Sequence, residues 1–405
     1  MIIILILVVI GLDFYVFSAI NQLPFGHFQG SVFLAYWTAV AFTFLGLFNF
    51  FRSIRKGLST IKPSTNLLFG LAFSLIVAKL FYSFFLLGED ILRTGYYFIA
   101  HFTNDSPVSY PIRNSYLSWT GIVVSVIPFL GMSHGVIFGK YRYKTHSIKV
   151  KIKNLPKAFK GFKIAHFSDA HLGSFDNIKG LRKGIETIRK AKADVILFTG
   201  DMVNNLAVEA EPYINEFSPL QAPYGKFSVL GNHDYGEYVR WNSQEEKHAN
   251  LERLKEIEAN MGFDMLNNEH RIIEKDGSQI CIAGVENWGK PPFPQKGDLN
   301  STLNGVPDQM PTVLLSHDPS HWDLQVKQFS KPIHLTLSGH THGMQFGIDL
   351  PFFKWSPVKW KYPKWAGLYT ENEKHLYVNR GFGFLGFPGR AGIWPEITEI
   401  TLTSE

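Results

Sequence analysis

The segment "IHLTLSGHTHG", residues 333–343, joins a short apolar run to two histidines that stand two positions apart. In an extended segment, side chains at positions i and i+2 point the same way, so His340 and His342 could both face a metal ion. A polar surface turn would hold the same two imidazoles without any ion. The segment alone leaves both interpretations open, and the rest of the chain decides between them.

An apolar run followed by Asp, His or Asn occurs at five places in the second part of the chain. Strands that end this way alternate with helical segments early in this part, which favours a layered α/β fold. In such sheets, binding sites form at the carboxyl ends of the strands. One such strand end by itself is more typical of a turn or a helix cap, but all five together favour a site. The five strand ends are Asp169-Ala170-His171, Gly200-Asp201, Gly231-Asn232-His233-Asp234, Ser316-His317-Asp318 and Gly339-His340-Thr341-His342.

The side chains at these strand ends offer oxygen and imidazole donors and no thiolate. That donor set suits Mn²⁺, Fe or Zn²⁺. The candidate ligands are too many for one catalytic ion, which must keep an open position. Two ions about 3.5–4 Å apart that share one carboxylate fit better, and such a pair activates water for displacement at phosphorus. The predicted reaction is therefore hydrolysis of a phosphoester or pyrophosphate bond.

The order of these motifs resembles the calcineurin-like metallophosphoesterase superfamily over residues 163–402. The motifs that match as they stand are "FSDAHLG", "FTGDMV", "VLGNHDY", "LLSHDP" and "LSGHTHGMQ". The tail "YVNRGFGFLGFPGRAGIWPEITEITL" is similar to a bacterial membrane-associated branch that includes lipid-precursor pyrophosphatases. The resemblance implies two β-sheets flanked by helices, which is a four-layer αββα sandwich.

The resemblance also implies two divalent metal ions per chain, with manganese favoured, and a role for each residue. Asp201 is expected to bridge the ions, and His233 to contact the scissile phosphate or protonate the leaving oxygen. The remaining ligands are divided as follows: Asp169, His171 and His342 for the first ion, and Asn232, His317 and His340 for the second.

One position departs from the family pattern. Asn204 stands where the family often has an aspartate that pairs with the catalytic histidine. An amide would raise the pKa of that histidine less than a carboxylate does. Asp234, the neighbour of His233, is a candidate to compensate.

The first part of the chain is dense in apolar residues, and we predict a membrane domain at 1–145 and a catalytic domain at 146–405. A helix that crosses a bilayer needs about 20 residues. Lysines and arginines follow the second and the fourth predicted span, which places both termini and the catalytic domain in the cytoplasm. The sequence therefore predicts a multi-pass integral membrane protein. Its four spans are Ile2–Ile20, Ser31–Phe51, Asn66–Leu87 and Leu117–Phe138.

Two charged residues lie inside predicted spans, Asp13 in the first and Lys79 in the third. The two spans run in the same direction, and the charges lie at similar depths. An ion pair between them is our hypothesis, because an unpaired charge in a membrane is costly. The alternative is that each charge faces an aqueous crevice or the membrane surface.

Composition limits the remaining classes of function. The single cysteine, Cys281, excludes an intramolecular disulfide and a thiol-rich metal site, and its apolar surroundings predict burial. The formal net charge is +6, but the sequence contains no basic helix or nucleic-acid motif. Nucleic acid is therefore not an expected partner.

The substrate side of the predicted site is less defined. The segment from Gln345 to Tyr369 mixes Phe, Trp, Lys and Pro, and it could pack its own aromatic rings or touch the bilayer. A membrane-facing site would favour an amphiphilic phosphorylated substrate, with membrane lipid as a partner. Arg380 and Arg390 could orient a phosphate or could be structural.

Three functions remain for these residues. The first is a membrane-anchored phosphohydrolase that acts on a lipid-linked or lipid-precursor substrate. The second is a tethered nucleotide or cyclic-nucleotide phosphodiesterase, which would use the same catalytic residues. The third is a non-catalytic membrane sensor, and the complete set of candidate ligands argues against it.

Overall fold

A computed structural model of the chain describes residues 2–55, 61–103 and 107–404. The chain forms two compact units, and the first ends at Ile137 while the second continues from Phe138. The domain boundary predicted between residues 145 and 146 lies shortly after this division and stays a prediction.

The first unit is helical and apolar. Among the described residues, three helices are long and apolar enough to cross a membrane, Gly26–Ile54, Pro63–Thr103 and Ser115–Ile137, and Ile6–Ile20 is a shorter apolar helix. The predicted membrane domain is therefore present, while the count of four spans stays a prediction. The helices are α1 Ile2–Ile20, α2 Gln29–Arg55, α3 Pro63–Thr103 and α4 Ser115–Ile137.

Helix α3 is much longer than the span predicted for it. It contains 41 residues, or about 60 Å at 1.5 Å per residue, where we expected a helix from Asn66 to Leu87. Its continuation carries charged residues that have partners, since Arg113 donates a hydrogen bond to Asp90 at 2.7 Å. Hydropathy marks the apolar part of a helix and not its end, which explains the difference.

The ion pair hypothesised inside the membrane unit is present. Lys79 Nζ lies 2.5 Å from Asp13 Oδ1, and both side chains are buried. The hydroxyl of Tyr36 donates a hydrogen bond to the main-chain carbonyl of Asp13 at 2.7 Å. The contact joins α1 to α3 and gives each charge a partner within the unit.

The second unit contains fourteen short strands and five helices among its described residues. The strands are β1 Lys144–Lys151, β2 Lys163–Phe167, β3 Val195–Phe198, β4 Lys226–Ser228, β5 Asp264–Met265, β6 Glu269–Lys275, β7 Ser278–Gly284, β8 Thr312–Leu315, β9 Leu335–Ser338, β10 Ile348–Leu350, β11 Phe353–Trp355, β12 Gly367–Glu371, β13 Lys374–Val378 and β14 Glu396–Thr403. The helices are α5 Ile178–Lys190, α6 Ile214–Phe217, α7 Gln244–Asn260, α8 Leu299–Thr302 and α9 Ser320–Leu324.

Twelve of these strands form two mixed six-stranded sheets, in the orders β1-β14-β2-β3-β4-β5 and β12-β13-β9-β8-β7-β6. Strands β2, β3 and β4 are parallel, with Ile164 beside Val195 and Leu197 beside Phe227. Strands β7, β8 and β9 are also parallel. In each sheet the parallel strands therefore place their carboxyl ends at one edge. Strands β10 and β11 pair separately as an antiparallel hairpin.

Successive side chains of each strand point to opposite faces of its sheet, and this alternation builds the layers of the unit. In β2, Ile164 joins a core with Ile282 and Leu335 of the other sheet, while Phe167 points the opposite way into a core that holds Leu254 of α7. The second sheet buries a further core against Trp322 of α9. The result is helix, sheet, sheet and helix, so the predicted α/β sandwich is confirmed.

Candidate metal centre

The predicted ligands follow the carboxyl ends of β2, β3, β4, β8 and β9. Five of them have a left-handed backbone, with φ between +47° and +68°. Residues other than glycine rarely adopt this conformation, and it is concentrated at functional sites. The five are Asp169, His171, Asp201, His340 and His342.

Two glycines allow these loops to approach one another closely. A Cβ atom on Gly231 would overlap the side chain of Asp201, and one on Gly339 would overlap Ser168 and Asp169. Glycine is the residue that permits such contact. We therefore attribute the glycine in each of these two strand ends to backbone packing around the candidate ligands.

One group of donors consists of Asp169, His171, Asp201 and His342, all buried. The Nε2 atoms of His171 and His342 lie 3.0 Å apart, and His342 Nε2 lies 3.3 Å from Asp169 Oδ1. Asp201 Oδ2 is 3.6 Å from His171 Nε2. One ligand atom from each of the four lies within 4.8 Å of the others, which is close enough for a shared cation.

A second group contains Asp201, His317 and His340. Asp201 Oδ2 lies 3.2 Å from His317 Nε2. The Nδ1 atom of His340 is 3.3 Å from that same His317 nitrogen and 2.8 Å from Asn232 Oδ1. The structure thus brings all seven predicted ligands together in two groups, and Asp201 belongs to both.

Two histidines of the second group have partners that hold their rings in place. His317 Nδ1 lies 2.7 Å from the carbonyl oxygen of Thr199, and His340 Nε2 lies 2.8 Å from the hydroxyl of Tyr362. The Tyr362 hydroxyl also donates to Asp318 at 3.4 Å. Such contacts orient a ligand histidine and fix its tautomer. The sequence did not single out Tyr362, because it lies within an irregular segment with no strand pattern.

His233 lies beside the first group, with its ring centre 4.9 Å from that of His171. Its Nδ1 atom is 2.7 Å from the main-chain carbonyl of Asn204. The partner is therefore the backbone of Asn204, while the amide oxygen of Asn204 accepts a hydrogen bond from Ser174. At the position where the family often has an aspartate, the group that contacts His233 is thus a main-chain carbonyl.

Asp234 does not compensate in the way that the sequence suggested. Its buried carboxylate accepts hydrogen bonds from the backbone N–H groups of Asp201, Met202 and Gly231, each at 2.8 Å. These bonds tie the end of β3 to the end of β4. Asp234 therefore supports the loop that carries Asp201, and that role explains its position next to His233.

The charges of the centre fit a bound cation. Burial lowers the pKa of His171 to about 3 and that of His340 to about 4, so both rings are neutral near pH 7 and can donate a lone pair. Burial raises the pKa of Asp169 to about 7. Burial lowers the pKa of His317 too, but Asp201, Asp169 and the Thr199 carbonyl together outweigh burial and raise that pKa to about 10. His317 therefore carries a proton near pH 7, which a bound metal ion would displace. Buried carboxylates beside imidazoles, two of them neutral and the third neutral once its proton is displaced, are a donor set that divalent metals bind.

The two arginines of the tail have structural contacts. The Arg380 guanidinium lies 2.6 Å from Glu396 and 2.9 Å from Asp349. Arg390 donates to the main-chain carbonyls of Gly383 and Arg380, both at 2.7 Å. Both side chains are buried, which favours the structural alternative over phosphate binding.

Known protein families match both parts of the chain. A model described as "Calcineurin-like phosphoesterase" matches residues 162–344. A second model, described as "Probable Calcineurin-like phosphoesterase, transmembrane domain", matches residues 1–140. The two matches cover the helical unit and all five strands that carry the candidate ligands.

Individual relatives match between 57% and 66% of this chain. The uncharacterized metallophosphoesterase YkuE of Bacillus subtilis is 36% identical over 269 residues, which are 64% of this chain and 84% of that protein. A transmembrane protein with metallophosphoesterase domain from Danio rerio is 28% identical over 66% of this chain, and the match spans only 59% of its length. The UDP-2,3-diacylglucosamine pyrophosphatase LpxG of Chlamydia trachomatis is 30% identical over 57% of this chain and 81% of its own length.

Proposed function

Because this chain belongs to the calcineurin-like phosphoesterase family, we propose that it is a membrane-anchored hydrolase with two divalent metal ions that cleaves a phosphoester or pyrophosphate bond in a lipid-linked or lipid-precursor substrate. It is a metallophosphoesterase with a transmembrane domain. The proposal extends this description to the number of ions, the substrate and the role of each residue.

One observation carries the proposal, namely that two groups of donors share the carboxylate of Asp201. In our assignment Asp169, His171 and His342 hold the first ion, Asn232, His317 and His340 hold the second, and Asp201 contacts both. When bound, such ions supply Lewis acidity at a phosphoryl group and lower the pKa of water. Among manganese, iron and zinc, we propose manganese.

His233 is the proposed proton donor. It lies beside the ligands without belonging to either group, and its Nδ1 is engaged by the Asn204 carbonyl. That contact fixes the ring and leaves Nε2 free to contact a phosphate oxygen or to protonate the leaving oxygen. The neighbouring ring of Tyr238, whose centre is 4.4 Å away, limits movement of the imidazole.

The membrane anchor favours an amphiphilic substrate. A hydrolase fixed in a bilayer meets lipid-borne phosphates at high local concentration. The similarity to a UDP-2,3-diacylglucosamine pyrophosphatase supports substrates of that chemical type. We further propose a multi-pass arrangement with the catalytic unit in the cytoplasm, because basic residues follow the second and fourth predicted spans.

The experiment uses full-length protein in lipid vesicles, stripped of metal with a chelator and resupplied with Mn²⁺, Zn²⁺ or Fe²⁺. Its substrates are a UDP-diacylglucosamine, a phospholipid, a cyclic nucleotide and an aryl phosphodiester. We expect no activity without metal, and fastest turnover of a lipid-linked substrate once metal is restored. Preference for the cyclic nucleotide would instead favour a tethered phosphodiesterase, and binding of metal without any hydrolysis would contradict the proposal.

The variant that tests His233 as the proton donor is His233→Gln. General acid catalysis typically contributes 10²- to 10⁴-fold, so we expect kcat to fall by about that factor. Metal content should not change, because His233 lies outside both donor groups. A variant that retains full kcat would remove His233 from the mechanism, and a variant that loses metal would show that it is a ligand.

A further inference from the structure

A hairpin next to the metal centre exposes apolar side chains. We call residues 344–361 the aromatic hairpin, and they include β10 and β11. Phe352 is 87% exposed and Trp360 is 76% exposed. A contiguous exposed apolar patch usually marks a surface that something covers. The exposed apolar residues are Met344, Ile348, Leu350, Phe352, Phe353 and Trp360.

The exposed charge of the aromatic hairpin is positive. Its charged residues are Asp349 and three lysines, Lys354, Lys359 and Lys361. The carboxylate of Asp349 lies 2.9 Å from the buried Arg380 and 3.9 Å from Lys354, and all three lysines are exposed. Aromatic rings beside lysines fit the interface of a bilayer that carries anionic headgroups.

Two contacts hold the aromatic hairpin against the metal centre. Ser356 Oγ donates a hydrogen bond to the carbonyl of Gly343 at 2.7 Å, and Gly343 follows the candidate ligand His342. Tyr362, the residue after the hairpin, contacts His340. Whatever covers the hairpin therefore lies close to the metal centre.

The aromatic hairpin also contacts the part of the catalytic unit where the chain arrives from the membrane. Gly347 N donates to the Ala391 carbonyl at 3.0 Å, and Ala391 N donates to the Gln345 carbonyl at 2.8 Å. Gly139 packs so closely on Arg390 that a Cβ atom there would overlap its carbonyl oxygen. Gly139 follows the end of the apolar helix α4 by two residues, so chain connectivity keeps this part of the catalytic unit near the end of that helix.

From this combination of exposed aromatic rings, lysines and chain connection, we propose that the aromatic hairpin docks on the bilayer in which the protein is anchored. Phe352 and Trp360 enter the interfacial layer, and the lysines contact anionic headgroups. Docking would present the metal centre to phosphate groups carried by molecules of the same leaflet. This last consequence rests on the proposed function, but docking itself does not.

A fluorescence experiment tests docking without any measurement of catalysis. Full-length Phe352→Cys is labelled with an environment-sensitive fluorophore and reconstituted in phosphatidylcholine vesicles containing phosphatidylglycerol. The native Cys281 is buried, and burial raises the pKa of its thiol to about 12, so it reacts little. The control is Asp276→Cys, at the exposed turn between β6 and β7.

For the label at position 352, we expect emission at shorter wavelength, loss of intensity with spin-labelled lipid and little loss with iodide present on both sides of the membrane. The label at position 276 should show the opposite pattern. Adding Trp360→Ser to Phe352→Cys should reduce the quenching by lipid. Equal iodide quenching at both positions would overturn the proposal. Protection of position 352 from both quenchers would also overturn it, since a second copy or a protein partner would then cover the hairpin.

Because no substrate is present, failure of docking and failure of the proposed hydrolysis are separate results. A docked but inactive protein would contradict the function alone. An active protein whose aromatic hairpin stays in water would contradict the docking alone.

Discussion

At the scale of single residues, the centre depends on the groups that form hydrogen bonds to the histidine rings. Thr199 and Tyr362 hold the rings of His317 and His340, and the main-chain carbonyl of Asn204 holds His233. These partners decide which nitrogen of each imidazole faces the site. Changing one of them should therefore affect metal binding or proton transfer while the ligands themselves stay in place.

Tyr362→Phe tests this idea for His340. The variant removes the hydroxyl that lies 2.8 Å from His340 Nε2, and loss of such a partner typically weakens metal affinity by about 10–100-fold. We expect a loss of this size when metal binding is titrated by calorimetry or with a competing chelator. The control is Tyr224→Phe, because Tyr224 is partly exposed and packs on Phe162, outside the centre. Unchanged affinity in Tyr362→Phe would show that His340 needs no such support.

The buried ion pair of Arg380 and Glu396 predicts how the stability of the fold depends on pH. Burial alone would raise the pKa of Glu396, but Arg380, with His146 and the hydroxyls of Tyr377 and Thr398, outweighs burial and lowers the pKa from the ordinary 4.5 to about 2. A carboxyl whose pKa is lowered in the folded state contributes stability above pH 4.5 and loses it as the pH falls towards 2. The contribution is on the order of 3 kcal/mol, at 1.36 kcal/mol per pKa unit.

We therefore expect Glu396→Gln to lower the thermal unfolding midpoint of the full-length protein at pH 7. We also expect a weaker decline of that midpoint between pH 4.5 and pH 2 than in the unchanged protein. Glu399→Gln, on the same strand but only partly buried, serves as the control with a small effect. If both variants behave alike, the pair does not hold β14 as we describe.

At the scale of elements, local patterns in the sequence predict the strands and the ligands they carry. Each strand end is a short apolar run followed by a polar residue, and that pattern needs no knowledge of the rest of the chain. The long continuation of α3, the Asp234 bonds between two loops and the contact of Tyr362 with His340 could not be predicted in this way. Each of them depends on residues far apart in sequence that only the folded backbone brings together.

The contact between α1 and α3 is one long-range contact that the sequence did predict. An unpaired charge in a membrane is costly, and two opposite charges at matching depth can pair. A double-mutant cycle measures it. We expect Asp13→Asn to destabilise the protein less when Lys79→Met is already present, with a coupling of about 0.5–3 kcal/mol. Unfolding of the reconstituted protein in denaturant provides the measurement, and strictly additive effects would mean that the pair contributes nothing.

At the scale of the whole molecule, an apolar helical unit and an αββα sandwich are joined in one chain. The sandwich gathers seven donors from five strand ends, and the aromatic hairpin extends from the same loop as His340 and His342. This arrangement fits the hydrolase of membrane-borne phosphates that we propose, with its chemistry carried by the second unit. The account therefore rests on whether the two donor groups hold two ions through one shared carboxylate.

The most direct measurement of that claim is the metal content and activity of full-length Asp201→Asn beside the unchanged protein. Asp201 is the one residue common to both donor groups, and an amide cannot supply the charge that bridges two cations. We predict about two bound ions per chain in the unchanged protein, and fewer ions with no hydrolysis of an aryl phosphodiester in Asp201→Asn. Full metal content together with full activity in Asp201→Asn would contradict the bridging role and the two-ion centre.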